Sequence, residues 1–346
     1  MAFNRKKEAL DYRAVLKELK ENGPQRLYLL WGEEDYLIAD FIRRLREACS
    51  EGGAEDFNVH RLDGQPALPD IEEAVNAMPF FGGRTFVELH GFDVNACRDE
   101  KFAALLGDIP EWCTVVILLP TGALPDGRLN IIKSIKKNGK ALEFTAQEKS
   151  LLYNWIRRRV ESHGKRIGQA AMERLVFLSG NLMNQLIPEI EKICGYAPGE
   201  EVTAEDVEAL AHHIPEAEAF EMTEHIAGGD FDGAADILTE LLAGDQEPMA
   251  IFGAIGWQMR RLYAAKVCDL TGKGAAYYRQ LTGDYHPDKT MKLAEKFSLE
   301  ELAADVRNCA EYLMRTREQG AVLEELDALK ELLIRFAMEG KHAKTA

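Results

Sequence analysis

The 346-residue chain has no apolar run long enough to cross a membrane. Its longest runs, such as Val115-Val116-Ile117-Leu118-Leu119, are the size of one strand, whereas a spanning helix needs roughly 20 apolar residues. The opening MAFNRKKEAL carries charge but no apolar stretch of signal-peptide length, so a cytoplasmic location is expected. Cysteine is scarce. Cys49, Cys97, Cys113, Cys194, Cys268 and Cys309 are scattered, with no Cys-x-x-Cys pair. Zinc-ligand spacing is therefore absent, and the cysteines read as small buried residues in a reducing compartment. There is no His-x-x-x-His, no Gly-x-Ser-x-Gly, no repeat of fixed period and no low-complexity tract. Positive charge is also in deficit: 42 Lys+Arg stand against 58 Asp+Glu, a net −16. Such a chain is poorly suited to gripping DNA unaided, because that binding rests on Lys and Arg neutralising phosphates.

What is present is an ordinary globular composition, 46% hydrophobic and 29% charged. The length allows two or three domains. Up to Thr145, helical and strand-like patterns alternate. Helices are predicted at 8–21, 35–48, near 70–78, near 99–106 and near 128–137. Strands are predicted at 26–31, 57–61, 84–90, 113–119 and 140–144. Strands separated by helices imply a largely parallel sheet covered on both faces. After Thr145 the strand signal disappears. Helices are predicted at 147–162, 169–178, 182–194 and 203–213, the last opened by the cap Thr203-Ala-Glu-Asp206. From Pro215 a third, helical region follows, with helices at about 216–228, 230–243, 247–270, 287–297, 298–319 and 322–338. The domains expected are therefore an α/β domain over 1–145, a small helical domain over 146–215 and a larger helical domain over 216–346.

An α/β domain followed by a small helical one suggests a nucleotide-binding ATPase. A phosphate loop needs Gly-x-x-x-x-Gly-Lys-Ser/Thr after the first strand. Here Trp31 is followed by Gly32-Glu33-Glu34-Asp35-Tyr36-Leu37, with three carboxylates where a triphosphate would sit. After Val115–Leu119 comes Pro120-Thr121-Gly122, with no carboxylate to hold Mg²⁺ before Asp126. Glu33, Glu34 and Asp35 read instead as the acidic start of a helix. No cofactor, metal site or catalytic residue is expected.

The histidines His212, His213 and His225 read as helix-end or surface groups. The basic clusters are Lys133, Lys136, Lys137 and Lys140, then Arg157-Arg158-Arg159, and Lys165-Arg166. They read as solvated faces or as weak contacts to nucleic acid or an acidic partner. Trp257 and Arg261 suit interhelical packing. Tyr277, Tyr278 and Tyr285 fall in what reads as a Gly-rich connecting segment near Lys273, Arg279 and Lys289. Such a mixture can stack on single strands or serve as a helix joint.

One segment is anomalous. Ala77-Met78-Pro79-Phe80-Phe81-Gly82-Gly83-Arg84 lies between a helix and a strand, with Pro79 and Gly82-Gly83 as turn signals. Two adjacent phenylalanines in a loop cannot both point easily into one core. With Met78 they would form an apolar knob, either tucked under neighbouring helices or serving as an anchor for a partner's pocket.

Several segments together resemble the delta subunit of the bacterial DNA polymerase III clamp loader. They are Leu27 to Leu37, Asn76 to Arg84, Ile214 through Met222, and Pro248 to Lys266 with Gln258 and Arg260-Arg261. The resemblance runs over nearly the whole chain and in the family's order. It implies an AAA+-like parallel-sheet module with a degenerate nucleotide site, a small helical lid domain and a C-terminal helical collar domain. It implies a subunit that hydrolyses no ATP and opens the sliding clamp (the beta subunit) for loading onto primed DNA. The hydrophobic plug carries over onto Met78, Phe80 and Phe81. The partners implied are the clamp, the motor subunits (tau/gamma), delta prime and, within the complex, primed DNA, with no membrane. The Ser-Arg-Cys arginine-finger motif of the ATPase relatives is missing, as suits a non-motor seat. The charge is −5 over 1–145, −2 over 146–215 and −9 over 216–346, so most of the excess would face collar partners. Two other classes stay open on the residues alone: a transferase-like enzyme on a nucleotide-binding-like fold, and a free-standing DNA-binding protein.

Overall fold

Strands that are apolar at every position need cover on both faces, and the computed structural model provides it. The structure describes residues 11–50, 57–80, 82–97, 99–243, 247–319 and 322–343. The chain divides into two compact units, residues 1–155 with 181–188, and residues 156–180 with 189–346.

The first unit begins with α1 (Tyr12–Asn22), β1 (Leu27–Gly32), α2 (Asp35–Cys49), β2 (Val59–Asp63) and α3 (Leu68–Asn76). It continues through β3 (Thr85–His90), α4 (Glu100–Gly107), β4 (Cys113–Leu118), α5 (Asn130–Asn138) and β5 (Lys140–Phe144). The strands form one wholly parallel sheet in the order β2-β3-β4-β1-β5. Alternation of side chains sorts its two faces. Leu27, Leu29, Val87, Leu89, Val115 and Ile117 pack with Ile71, Phe102, Ile132 and Ile135 from α3, α4 and α5. The opposite face carries Tyr28 and Phe144, whose rings lie 5.6 and 5.8 Å from that of Phe41 on α2. On α2, Leu37, Ile38, Phe41, Ile42, Leu45 and Cys49 form the buried stripe.

Several boundaries differ from expectation. β2 starts at Val59 rather than 57. α3 starts at Leu68 with Pro69 in its first turn. It ends at Asn76 rather than 78, since the residue before Pro79 avoids helical backbone.

The helices that follow are α6 (Lys149–Ser162), α7 (Gln169–Ser179), α8 (Met183–Tyr196) and α9 (Ala204–Leu210). The expectation that strands cease after Thr145 is corrected. β6 (Arg166–Ile167) and β7 (Glu201–Val202) pair in parallel as a two-stranded sheet. Two residues per strand are too few for a period-2 pattern to emerge. The predicted cap at Thr203 is a reciprocal capping box with Asp206.

Next come α10 (Pro215–Gly228), α11 (Phe231–Ala243), α12 (Pro248–Leu270), α13 (Ala275–Thr282), α14 (Pro287–Ala294), α15 (Leu299–Gln319) and α16 (Val322–Ala343). α12 is the hub and packs on α10, α13, α14, α15 and α16. The segment read as a Gly-rich connection is corrected: it contains α13, bounded by Gly274 and Gly283. Tyr278 on α13 is fully buried and donates to Asp284 Oδ2 at 3.0 Å. Asp284 also accepts from Thr290 Oγ1 at 2.6 Å and from the His286 N–H at 2.8 Å, and it pairs with Arg261. Although burial opposes it, the Arg261 guanidinium holds the Asp284 carboxyl below the usual carboxylate range. Trp257 packs on Arg261, with the guanidinium 4.2 Å from the ring centre. Four groups, from α12, α13, α14 and the residue that caps α14, thus converge on one carboxylate. Replacing Asp284 with Ala strands a buried Arg261. The expected cost is about 3–5 kcal/mol, read as a lower midpoint in urea denaturation of the full chain.

Candidate functional site

All five strands are parallel, so the sheet has one amino edge and one carboxyl edge. Ligands of open α/β sheets bind beyond the carboxyl edge. There, Gly32 closes β1 with φ 137°, and a Cβ at this position would lie 2.0 Å from the Phe144 carbonyl oxygen. Only glycine admits so close an approach. The approach lets Phe144 O accept from the Glu33 N–H at 2.9 Å and the Glu34 N–H at 3.1 Å. The backbone donors that could cradle a phosphate are taken up by the neighbouring strand.

The three predicted carboxylates diverge. Asp35 opens α2 as its first-turn acid. Glu33 Oε1 accepts from the Ala146 N–H at 3.2 Å. Glu34 is fully buried, and its Oε2 accepts from the Met183 N–H, at the start of α8, at 3.2 Å. Among the described residues, no donor reaches Oε1. Burial, helped by Asp35 and Glu33, raises the Glu34 carboxyl from 4.5 to about 7. A carboxylate of the chain itself, held at a helix N-terminus, occupies the space behind the turn.

The anomalous apolar turn lies at the opposite, amino edge. It joins α3 to β3, and its backbone is fixed from several sides. Thr85 Oγ1 donates to Ala77 O at 2.7 Å. Asn58, buried at the start of β2, accepts the Phe80 N–H at 2.6 Å through Oδ1. Its Nδ2 donates to Phe80 O at 3.1 Å and Gly82 O at 3.2 Å. Gly82 and Gly83 have φ of 94° and 75°, the left-handed region that favours glycine. Arg84 then ties the exit down, donating to Pro24 O at 2.6 Å and Glu111 O at 3.1 Å.

On this braced backbone Met78 is 73% exposed and Phe80 64% exposed. Phe81 lies outside the described residues. Nearby in sequence to the bracing Asn58, Phe57 is 69% exposed. The alternative of an apolar turn tucked under helices is thus not met at Met78 or Phe80. Sequence reasoning missed Asn58 and Phe57. Asn58 stands 22 residues from Phe80, and a single amide at a strand start carries no motif.

The other candidates are largely built into the fold. Lys140 pairs with Glu18, Arg159 pairs with Glu191 at 2.8 Å, and Lys165 Nζ donates to Ala197 O and Gly199 O. His225 Nδ1 lies 2.7 Å from Asp230 Oδ2. All six cysteines are free, and all but Cys97 are buried. Among the described residues, no His/Cys/Asp/Glu group could hold a metal ion, and no helix is long and apolar enough to cross a membrane.

Two outcomes test the carboxyl edge. Gly32→Ala should lower the unfolding free energy by about 3 kcal/mol or more, from clash and backbone strain, measured by urea denaturation. Glu34 binds its proton more tightly folded than unfolded. Its contribution is therefore most favourable below pH 4.5 and is lost as pH rises to about 7. The loss is at most about 1.4 kcal/mol per pH unit. Glu34→Gln should remove this slope, so the stability difference between variant and parent should change between pH 4.5 and 7 and stay flat above.

Two family models match the chain. One, described as DNA polymerase III, delta subunit, matches residues 28–145. The other, described as DNA polymerase III delta subunit, C-terminal domain, matches residues 216–323. The chain is 29% identical over 323 residues to DNA polymerase III subunit delta of Bacillus subtilis (strain 168), covering 87% of this chain and 91% of that protein. It is 22% identical over 262 residues to the probable DNA polymerase III subunit delta of Aquifex aeolicus (strain VF5), covering 72% of this chain and 73% of that one. The solved Bacillus subtilis DNA clamp loader delta protein has a similar fold, with TM-score 0.55 and 23% identity over 94% of this chain and 99% of that one. With a five-stranded parallel sheet at its head and both family models in order along its length, the chain belongs to the DNA polymerase III delta subunit family.

Proposed function

We propose that this subunit binds the sliding clamp, the beta subunit, and opens its ring for loading onto primed DNA. Met78, Phe80 and Phe81 form the plug that enters the clamp. The observation that carries the reading is the pair of exposed apolar side chains on a turn braced by Asn58, Thr85 and Arg84. Large apolar side chains on a fixed backbone suit a partner's pocket, because little freedom is lost on docking. A plug that fits the sprung clamp better than the closed one shifts the opening equilibrium by that difference in affinity.

The energy for the cycle comes from elsewhere in this reading. The Glu33 and Glu34 N–H groups are engaged by Phe144, and the Glu34 carboxylate lies where negative phosphate would have to come. Both support a subunit that hydrolyses no ATP itself. The motor subunits (tau/gamma) and delta prime are its partners, engaged through a collar domain over 216–346. A lid domain over 146–215 separates this from the clamp-binding domain over 1–145. The limits of the two family models, at 145 and 216, support those cuts. Net charge of −16 supports DNA contact shared with more basic neighbours, in the cytoplasm.

The test is clamp binding by the full chain carrying Phe80→Ala with Phe81→Ala. Loss of the two aromatic anchors should weaken binding by at least about 30-fold, while the circular dichroism spectrum stays unchanged. A double variant that binds and unloads the clamp normally would remove the plug assignment. Stoichiometric nucleotide binding by the isolated chain would instead favour the transferase-like enzyme.

A further inference from the structure

We infer that Asn58 is a positioning residue for clamp binding, holding the Phe80 peptide in its docking conformation through a two-way amide bracket. The inference rests on the plug reading above and adds a residue from a different segment to it.

The argument is one of hydrogen-bond chemistry. An amide side chain is the only neutral group that accepts on one atom and donates twice from another in one plane. Asn58 uses all three functions on one turn, at Phe80 and Gly82. Oδ1 takes the Phe80 N–H at 2.6 Å, and Nδ2 gives to Phe80 O at 3.1 Å and Gly82 O at 3.2 Å. Both the N–H and the C=O of Phe80 are thereby fixed, on either side of a side chain that is 64% exposed. Asn58 itself is 5% exposed, so water cannot replace these bonds cheaply. Its own carbonyl accepts from the Phe86 N–H at 2.8 Å, which ties it to the first turn of the β2–β3 ladder. The side chain therefore transfers the rigidity of the sheet to the plug.

The consequence for binding is entropic. Without the bracket, the turn must be ordered when the clamp arrives, and that cost comes out of the affinity. Asn58→Ala should weaken clamp binding by about 10-fold. The same substitution in the Phe80→Ala, Phe81→Ala background should add little further loss, because the side chains it positions are gone. A residue that merely supported the fold would weaken both backgrounds equally.

The experiment measures clamp affinity for the four chains of this cycle, with thermal midpoints alongside. Non-additive loss supports the inference. Equal loss in both backgrounds, or no loss from Asn58→Ala, overturns it while leaving the plug intact. Normal binding by the Phe80→Ala, Phe81→Ala chain removes the plug reading and the Asn58 role with it. Should Asn58→Ala fail to fold, amide exchange in the unmodified chain decides. The Phe80 N–H should be protected well beyond a free loop amide, and exchange at the unprotected rate overturns the bracket.

Discussion

The Phe144 carbonyl accepts two consecutive N–H groups, and much of the first unit follows from that contact. It requires a residue without a Cβ at position 32, so Gly32 survives where the rest of a phosphate loop does not. It draws the end of β1 against β5 and turns the chain into α2. It also leaves Glu34 facing inward, where a carboxylate can persist only by finding a donor or keeping its proton. The Met183 N–H is that donor. An element that sequence comparison would describe as degenerate is thus a closed structural joint, stabilised by different bonds from those of a nucleotide seat.

The two ends of the sheet have separate duties. The carboxyl edge is sealed by the chain's own groups, while the amino edge presents Met78 and Phe80. The strands between them span about 20 Å, and β1, β3 and β4 are buried on both faces over most of their length. β3 begins at Thr85, just after the turn that carries Met78 and Phe80, and ends at His90, beside Glu88, which is buried and also pairs with Arg46. Although burial opposes it, hydrogen bonds with His90 and Arg46 hold Glu88 below the usual carboxylate range, and the Arg46 contact pins α2 to the strand that follows the apolar turn.

Much of this was legible from residues alone. Alternation of strand and helix signals up to Thr145 located the sheet, and the Gly32-Glu33-Glu34-Asp35 run announced the loss of the phosphate loop. The Pro79 to Gly83 turn signals isolated the apolar knob. What escaped was of two kinds. Some elements were too short to carry a period, such as the two-residue strands at Arg166 and Glu201. Others depend on partners distant in sequence. Glu34 meets Met183 across 149 positions. Tyr278 looked like a loop aromatic until Asp284 drew it into the core. Asn58 reads as an unremarkable polar residue, because its importance lies in two backbone groups of another segment.

The braced turn has a kinetic consequence. A surface whose backbone is already in its docking shape needs no folding step on encounter, so its association rate is set by diffusion and orientation alone. There is then no slow conformational transition in this turn for a regulator to hold back. Under the proposed plug role, timing would have to be imposed from outside this turn.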